Sequence, residues 1–235
     1  MWEATSANRQ LTFHLSGINN QNFLMTDDET GSWWQQVSGE AIFGALKGQH
    51  LNPVLHDEVT FALWKKEHPQ GRVLRPDDST GWKSFSQDWE EHTARYPVFA
   101  QLQSDSTLGP RTQIVGIKLG GAAKAYPLAV IQKQSPIKDT LGDVPIIIAV
   151  AEDKKSLRAF ESRIDGQPLE FFAKPESQPL RLVDAQTGSE WDFTGKALSG
   201  KYQGRELKKV YALKDYWFDW RIYNPRTQVY PGAGE

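Results

Sequence analysis

The stretch Asp27-Asp28-Glu29-Thr30-Gly31-Ser32-Trp33-Trp34 returns later in the chain as Asp184-Ala185-Gln186-Thr187-Gly188-Ser189-Glu190-Trp191. Self-similarity of this kind frames a fold before any single element is assigned, because each copy reads as one supersecondary unit. The match continues in both directions. Downstream, Gly39, Gly44, Gly48 and Leu51 fall on Gly195, Gly200, Gly204 and Leu207 at the same spacings, and each leucine is followed at equal distance by a tryptophan, Trp64 or Trp220. Phe61 and Trp217 stand three residues before those tryptophans, and His68-Pro69 and Asn224-Pro225 follow them. Upstream, Trp2-Glu3 aligns with Phe160-Glu161, and Leu11-Thr12-Phe13 with Leu169-Glu170-Phe171.

Each copy reads as a hairpin, a strand, a tight turn and a closing helix. The hairpins turn at Ser6-Ala7-Asn8 and at Asp165-Gly166, the second a type I′ signal. Strands are expected at 23–27 and 181–184, each ending in an Asp whose side chain caps the Thr-Gly turn that follows. Glycines five and four residues apart then break up any long helix and mark close approaches of short strands. Short helices are expected at 60–67 and 215–223, with Phe61/Trp64 and Trp217/Trp220 at i,i+3 on a buried face and a proline stopping each. Neighbouring strand residues face opposite ways. Because Glu190 occupies the position of Trp33, Trp34 and Trp191 are expected inside and Trp33 outside.

Between the copies lies a polar connector with loop clusters at 77–81 and 104–107 and one short helix at 87–95. A hairpin at 113–128 turns at Gly120-Gly121, and Val144-Pro145-Ile146-Ile147-Ile148-Ala149-Val150, the most apolar run, reads as a central strand. Residues 113–158 have no counterpart ahead of the first copy. That copy therefore begins in mid-strand, and residues 1–13 are expected at an edge or completed by 113–158. The expected architecture is α+β and β-rich, two pseudo-symmetric units each closed by a short helix. Residues 1–75 form the first, incomplete unit, 76–112 a connector, and 113–235 the second, more complete unit.

Composition excludes several functions. With 27 basic and 29 acidic residues in 235, the net charge of -2 provides no field to draw in nucleic acid or anionic lipid. No apolar run is long enough to span a bilayer. The chain has no cysteine, hence no disulfide framework, thiolate metal site or cysteine nucleophile. No leader segment is legible at Met1, which leaves localisation open. Gly195-x4-Gly200-Lys201 is one residue short of a phosphate-binding loop, and Tyr202 stands where a magnesium-binding hydroxyl is needed. His50, His56, Asp57 and Glu58 could be written as a zinc set, but i,i+6 does not put two imidazoles on one helical face.

Gly116-x6-Lys124-Ala125-Tyr126-Pro127-Leu128, then Asp139-Thr140-Leu141-Gly142-Asp143-Val144-Pro145, together with Thr30-Gly31-Ser32-Trp33-Trp34-Gln35-Gln36 and Ser38-Gly39-Glu40-Ala41-Ile42-x-Gly44, carry a resemblance. They resemble a bacterial and archaeal family, domain of unknown function 3179, over residues 1–75 and 113–230. The resemblance implies no established reaction. It implies a Cys-x-x-Cys after the central strand with a Trp-His-Glu upstream, a set suited to a soft metal or to redox exchange. Here those positions read Ala151 and Lys154, and Lys133-Gln134-Ser135. The resemblance also leans towards a place outside the cytoplasm.

Nine tryptophans remain to be used, either as staples between helix and sheet or as a platform for a flat ligand such as a sugar. Trp33, Gln35, Glu40 and His14 form the candidate ligand-binding set, with His14, matched by Phe172, expected to be partly buried. No catalytic, cofactor-binding or metal-binding residue is assigned. The expected function is a non-catalytic binding or structural module whose partner is a small molecule or a protein, with no nucleic acid and no membrane span. The alternative is a metal-binding or redox protein whose Cys-x-x-Cys lies upstream of Met1 in a longer chain.

Overall fold

A computed structural model describes residues 1–74, 89–99 and 107–232. The expected loop clusters at 77–81 and 104–106 lie outside the described residues, as does the start of the expected helix at 87–95, of which α2 (Trp89–Arg95) is the described part. Among the described residues the protein is β-rich, with nineteen strands in six sheets and four short helices.

The chain opens with Trp2 bridged to Pro53 and a small hairpin, β1 (Thr5–Ser6) and β2 (Arg9–Gln10). Ala7 and Asn8 take positive φ at its turn. The opening is thus an edge element. A four-stranded antiparallel sheet follows in sequence order: β3 (Phe13–Asn19), β4 (Asn22–Asp27), β5 (Trp33–Gln35) and β6 (Ala41–Phe43). Alternation sets its two faces. Trp34 is fully buried with Leu11, Ala41 and Leu51, and Phe13 meets its ring edge-on at 5.8 Å, whereas Trp33 is 44% exposed.

The chain then runs through α1 (Phe61–Glu67), capped by the Thr60 side chain, to β7 (Gln113–Leu119) and β8 (Ala122–Pro127), a hairpin turning at Gly120-Gly121. After α3 (Leu128–Gln134) come β9 (Ile137–Leu141), β10 (Val144–Val150) and β11 (Leu157–Glu161). β10 is central to its sheet, and its unbroken apolar run follows from burial on both faces. Ile146 and Ile148 join one core with Val115, Tyr126 and Ile131; Ile147 and Ala149 join another with Phe160, Trp191 and Leu207.

The hairpin β12 (Arg163–Ile164) and β13 (Gln167–Pro168) turns at Asp165-Gly166 with both φ positive, as a type I′ turn requires. β14 (Phe171–Ala173), β15 (Arg181–Asp184) and β16 (Glu190–Asp192) form a three-stranded sheet. β17 (Lys209–Val210) pairs with β11. β18 (Ala212–Tyr216) joins the β7–β8 hairpin, α4 (Trp217–Tyr223) packs on β7, and β19 (Gln228–Val229) adds in parallel to β8. At Gly116 on β7 a Cβ would stand 2.3 Å from the Trp220 ring, so only glycine lets the helix lie this close.

The two Thr-Gly turns make the same bonds. Asp27 Oδ1 accepts from the Thr30 amide at 2.6 Å and its Oδ2 from Trp34 Nε1 at 2.8 Å; Asp184 does the same with Thr187 at 2.7 Å and Trp191 at 3.0 Å. The turn-capping Asp is thus also the acceptor that lets an indole N–H be fully buried.

Two expectations need correction. α1 buries no residue completely: Phe61 is 61% exposed and stacks on Trp64 at the surface, and the helix docks through Leu63 and through Glu67, which pairs with Arg158. Leu63 reaches the core around Phe160, Trp191 and Leu207, whereas α4 lies flat on β7 over Gly116. α4 starts at Trp217, because Asp215 and Tyr216 are still paired to β7 through β18.

Candidate functional site

A cleft of about 390 Å³ separates the first sheet from the β18–β7 strands and α4. Its walls carry Trp2, Gln35, Glu40 and His50 on one side and Tyr211, Trp220, Tyr223 and Asn224 on the other. Each wall holds an indole seated on a glycine. A Cβ on Gly39 would stand 2.8 Å from the Trp2 ring, as one on Gly116 would from Trp220 at 2.3 Å. Trp2 is fixed further by its Nε1, which donates to the Gln36 carbonyl at 2.7 Å. The polar lining is preorganised: Gln35 Oε1 accepts from Ser38 Oγ at 2.9 Å, and His50 Nε2 lies 3.9 Å from Glu40.

A cavity of about 220 Å³ adjoins the cleft and shares Trp2, Val37, Tyr211 and Leu213 with it. It ends on two carboxyl groups, Asp215 at the end of β18 and Asp219 one helical turn later on α4. Burial pushes both above the ordinary carboxylate range, Asp215 the further because the charge of Asp219 adds to the burial. Two carboxyl groups in one buried site cannot both ionise cheaply, so the pair retains a proton towards neutral pH. Asn22 Nδ2 donates to Asp219 Oδ2 at 2.6 Å, and the Tyr216 amide donates to Asp215 Oδ1 at 2.7 Å.

The four sequence candidates divide between two places. Gln35 and Glu40 line the cleft. Trp33 and His14 lie in one cross-strand row, His14–Thr26–Trp33–Phe43, on the outer face of the first sheet. There Trp33 packs on Phe43 with ring centres 5.4 Å apart. His14 is exposed rather than half-buried, because its face carries no second layer, and it pairs with Asp28 at 2.9 Å. The residues considered for zinc point apart: His50 to Glu40, His56 against Tyr211, Asp57 to Arg158 and Lys209, and Glu58 to Lys214. Among the described residues no group of three His, Cys, Asp or Glu could hold a metal ion, and no helix is long and apolar enough to cross a membrane.

A family model described as protein of unknown function (DUF3179) matches residues 1–227. The chain belongs to the DUF3179 family. No match was found among curated proteins or solved structures. Gly39 and Gly116, which seat the two indoles, both stand in the stretches that carried the DUF3179 resemblance. At the positions where that resemblance implied cysteines, Ala151 and Lys154 form the β10–β11 turn, the Lys154 amide donating to the Ala151 carbonyl at 3.0 Å. Ser135 is close by, its Oγ accepting from the Val150 amide at 2.9 Å.

Sequence reasoning missed Asp215 and Asp219. The one sequence signal is that Val59 and Leu63 stand at the same distances from Leu51 as Asp215 and Asp219 do from Leu207, apolar residues where these two are acidic.

Proposed function

We propose that this DUF3179 chain is a non-catalytic binding module made of two related β-rich units, 1–75 and 113–235 with 76–112 connecting them, whose ligand is a small, polar, ring-bearing molecule of the sugar type held in the cleft between them. The duplication is supported by the matched Asp-Thr-Trp networks and by glycines that serve matching close contacts, Gly39 with Trp2 and Gly195 with Phe160. The observation that carries the binding reading is the half-buried Trp2 indole, seated on Gly39 in the wall of a cleft that Gln35, Glu40, His50, Tyr211 and Tyr223 also line. Aromatic faces against C–H surfaces, with a few converging polar groups, are what a pyranose needs. Gln35 and Glu40 are the ligand's polar contacts in this reading, while Trp33 and His14 form a separate aromatic surface on the outer face.

The test is ligand-observed NMR saturation transfer and tryptophan fluorescence with a panel of mono- and disaccharides, on the wild type and on Trp2→Ala and Gln35→Ala. Binding in the millimolar range or tighter, weakened at least tenfold in both variants, is the expected result. No binding by any sugar, or binding indifferent to both substitutions, refutes the reading.

A further inference from the structure

We infer that the cavity beyond the cleft is a cation subsite: the Asp215–Asp219 carboxyl pair, walled by Trp2 and Tyr211, takes the protonated amine of an amino-sugar-like ligand. This rests on the cleft reading and names the chemistry of its ligand. Three observations carry it. The cavity is continuous with the cleft, through the residues they share, and is of a size to hold an aminomethyl group and its hydration. Asp219 is nine-tenths buried, with the Asn22 amide on its Oδ2 and the Asp215 carboxyl hydrogen-bonded to it, while its Oδ1 has no N–H or hydroxyl partner from outside the pair, and among the described residues no salt bridge reaches either acid. Finally, the first copy carries Val59 and Leu63 at these positions.

Among the described residues the protein's own cations make no ion pair with either acid: the Met1 ammonium also lines the cavity, but it donates to the Tyr211 hydroxyl at 3.5 Å. Lys214 also lines the cavity, but its Nζ lies 3.4 Å from Glu58. Arg111 contributes a favourable field at Asp219, but its guanidinium sits over the Tyr216 and Phe218 rings at 4.9 and 4.7 Å and its Nε donates to the Tyr96 carbonyl. A buried carboxylate without a counter-charge is costly, and an arriving ammonium supplies the positive charge that the pair lacks. Binding also moves a proton: an ammonium between the two groups favours ionisation of both, so the proton the pair retained leaves to solvent.

The experiment is isothermal titration calorimetry at pH 7 in two buffers of different ionisation enthalpy, with glucose, glucosamine and 6-amino-6-deoxyglucose as probes. Wild type, Asp219→Asn and Asp215→Asn are compared, with thermal melts confirming that each is folded. The expected result is that at least one amine binds tenfold or more tightly than glucose, that 6-amino-6-deoxyglucose, if bound, releases a fraction of a proton up to one, and that Asp219→Asn abolishes the preference while leaving glucose unchanged. Glucose binding as well as both amines, or an amine preference that survives in both variants, overturns the cation subsite and leaves the cleft reading standing. Absence of binding by all three probes overturns the cation subsite, and the cleft reading falls with it when no sugar of the mono- and disaccharide panel binds either.

Discussion

Trp191 and Trp34 are fully buried, each with its indole N–H on the turn aspartate, whereas Trp33 is 44% exposed. Truncating a buried tryptophan to alanine costs about 3–5 kcal/mol through lost transfer energy and the cavity left behind. The hydrogen bond adds little, because Asp184 keeps its contacts to the amide and hydroxyl of Thr187, and Asp27 its equivalents to Thr30. Neither carboxylate is orphaned, so its share is near the ordinary net value of about 1 kcal/mol. Trp191→Ala and Trp34→Ala should therefore each lose about 4–5 kcal/mol. With a urea slope of about 2–3 kcal/mol/M, that moves the unfolding midpoint down by about 1.3–2.5 M. Trp33→Ala loses its packing on Phe43 and little else, about 0.5–1 kcal/mol. The two buried sites differ in one respect. Among the described residues Trp34 is the only large aromatic fully buried in its small core with Leu11, Ala41 and Leu51, while Trp191 shares its core with Phe160 and Phe171. Trp34→Ala should therefore also loosen that small core ahead of the rest of the protein. Equal losses from Trp33→Ala and Trp34→Ala would refute the face assignment. A loss below about 1 kcal/mol in Trp191→Ala would refute the packing argument.

Three further outcomes are expected. Gly116→Ala places a methyl 2.3 Å from the Trp220 ring, so α4 must shift, at a cost of about 1–3 kcal/mol that thermal melts will register together with loss of cleft binding. Arg158, whose side chain is 3% exposed, bonds both Glu67 oxygens and Asp57, joining α1 and the following β11 strand; Glu67→Ala leaves that guanidinium short of a partner and should cost about 3 kcal/mol by urea midpoint. Stability should also fall as pH rises from about 4 towards 8. The folded chain holds Asp215, pushed up to about 8, and Asp219, also raised, in protonated form after the unfolded chain has released those protons, so the contribution is full below the unfolded carboxyl range and gone above the folded one. Asp219 faces Arg111 as well as Asp215, and Tyr223 feels both acids. Asp215→Asn should flatten that slope, read from urea midpoints at pH 5 and pH 8; an unchanged slope contradicts the assignment.

Local chemistry and repeated spacing carried much of this protein into the sequence. The type I′ turn at Asp165-Gly166, the aspartates that cap the Thr-Gly turns and the inside–outside split of Trp33 and Trp34 depend on neighbours within a few residues, and alternation or turn preference is enough to read them. The apolar run at 144–150 announced a central strand because only a strand covered on both faces dispenses with polar alternation. Tertiary structure decided the rest. Phe61 and Trp64 share a spacing with Trp217 and Trp220, yet only the second pair is buried, because burial depends on which sheet the helix meets and only α4 has β7 with Gly116 beneath it. Likewise nothing local links Gln35 and Glu40 to Tyr211 and Trp220, or separates them from Trp33. The cleft arises where two distant segments approach without closing, and the rise in the Asp215 and Asp219 pKa values comes from desolvation, to which the charge of Asp219 adds at Asp215, effects that exist only once the chain has buried them side by side.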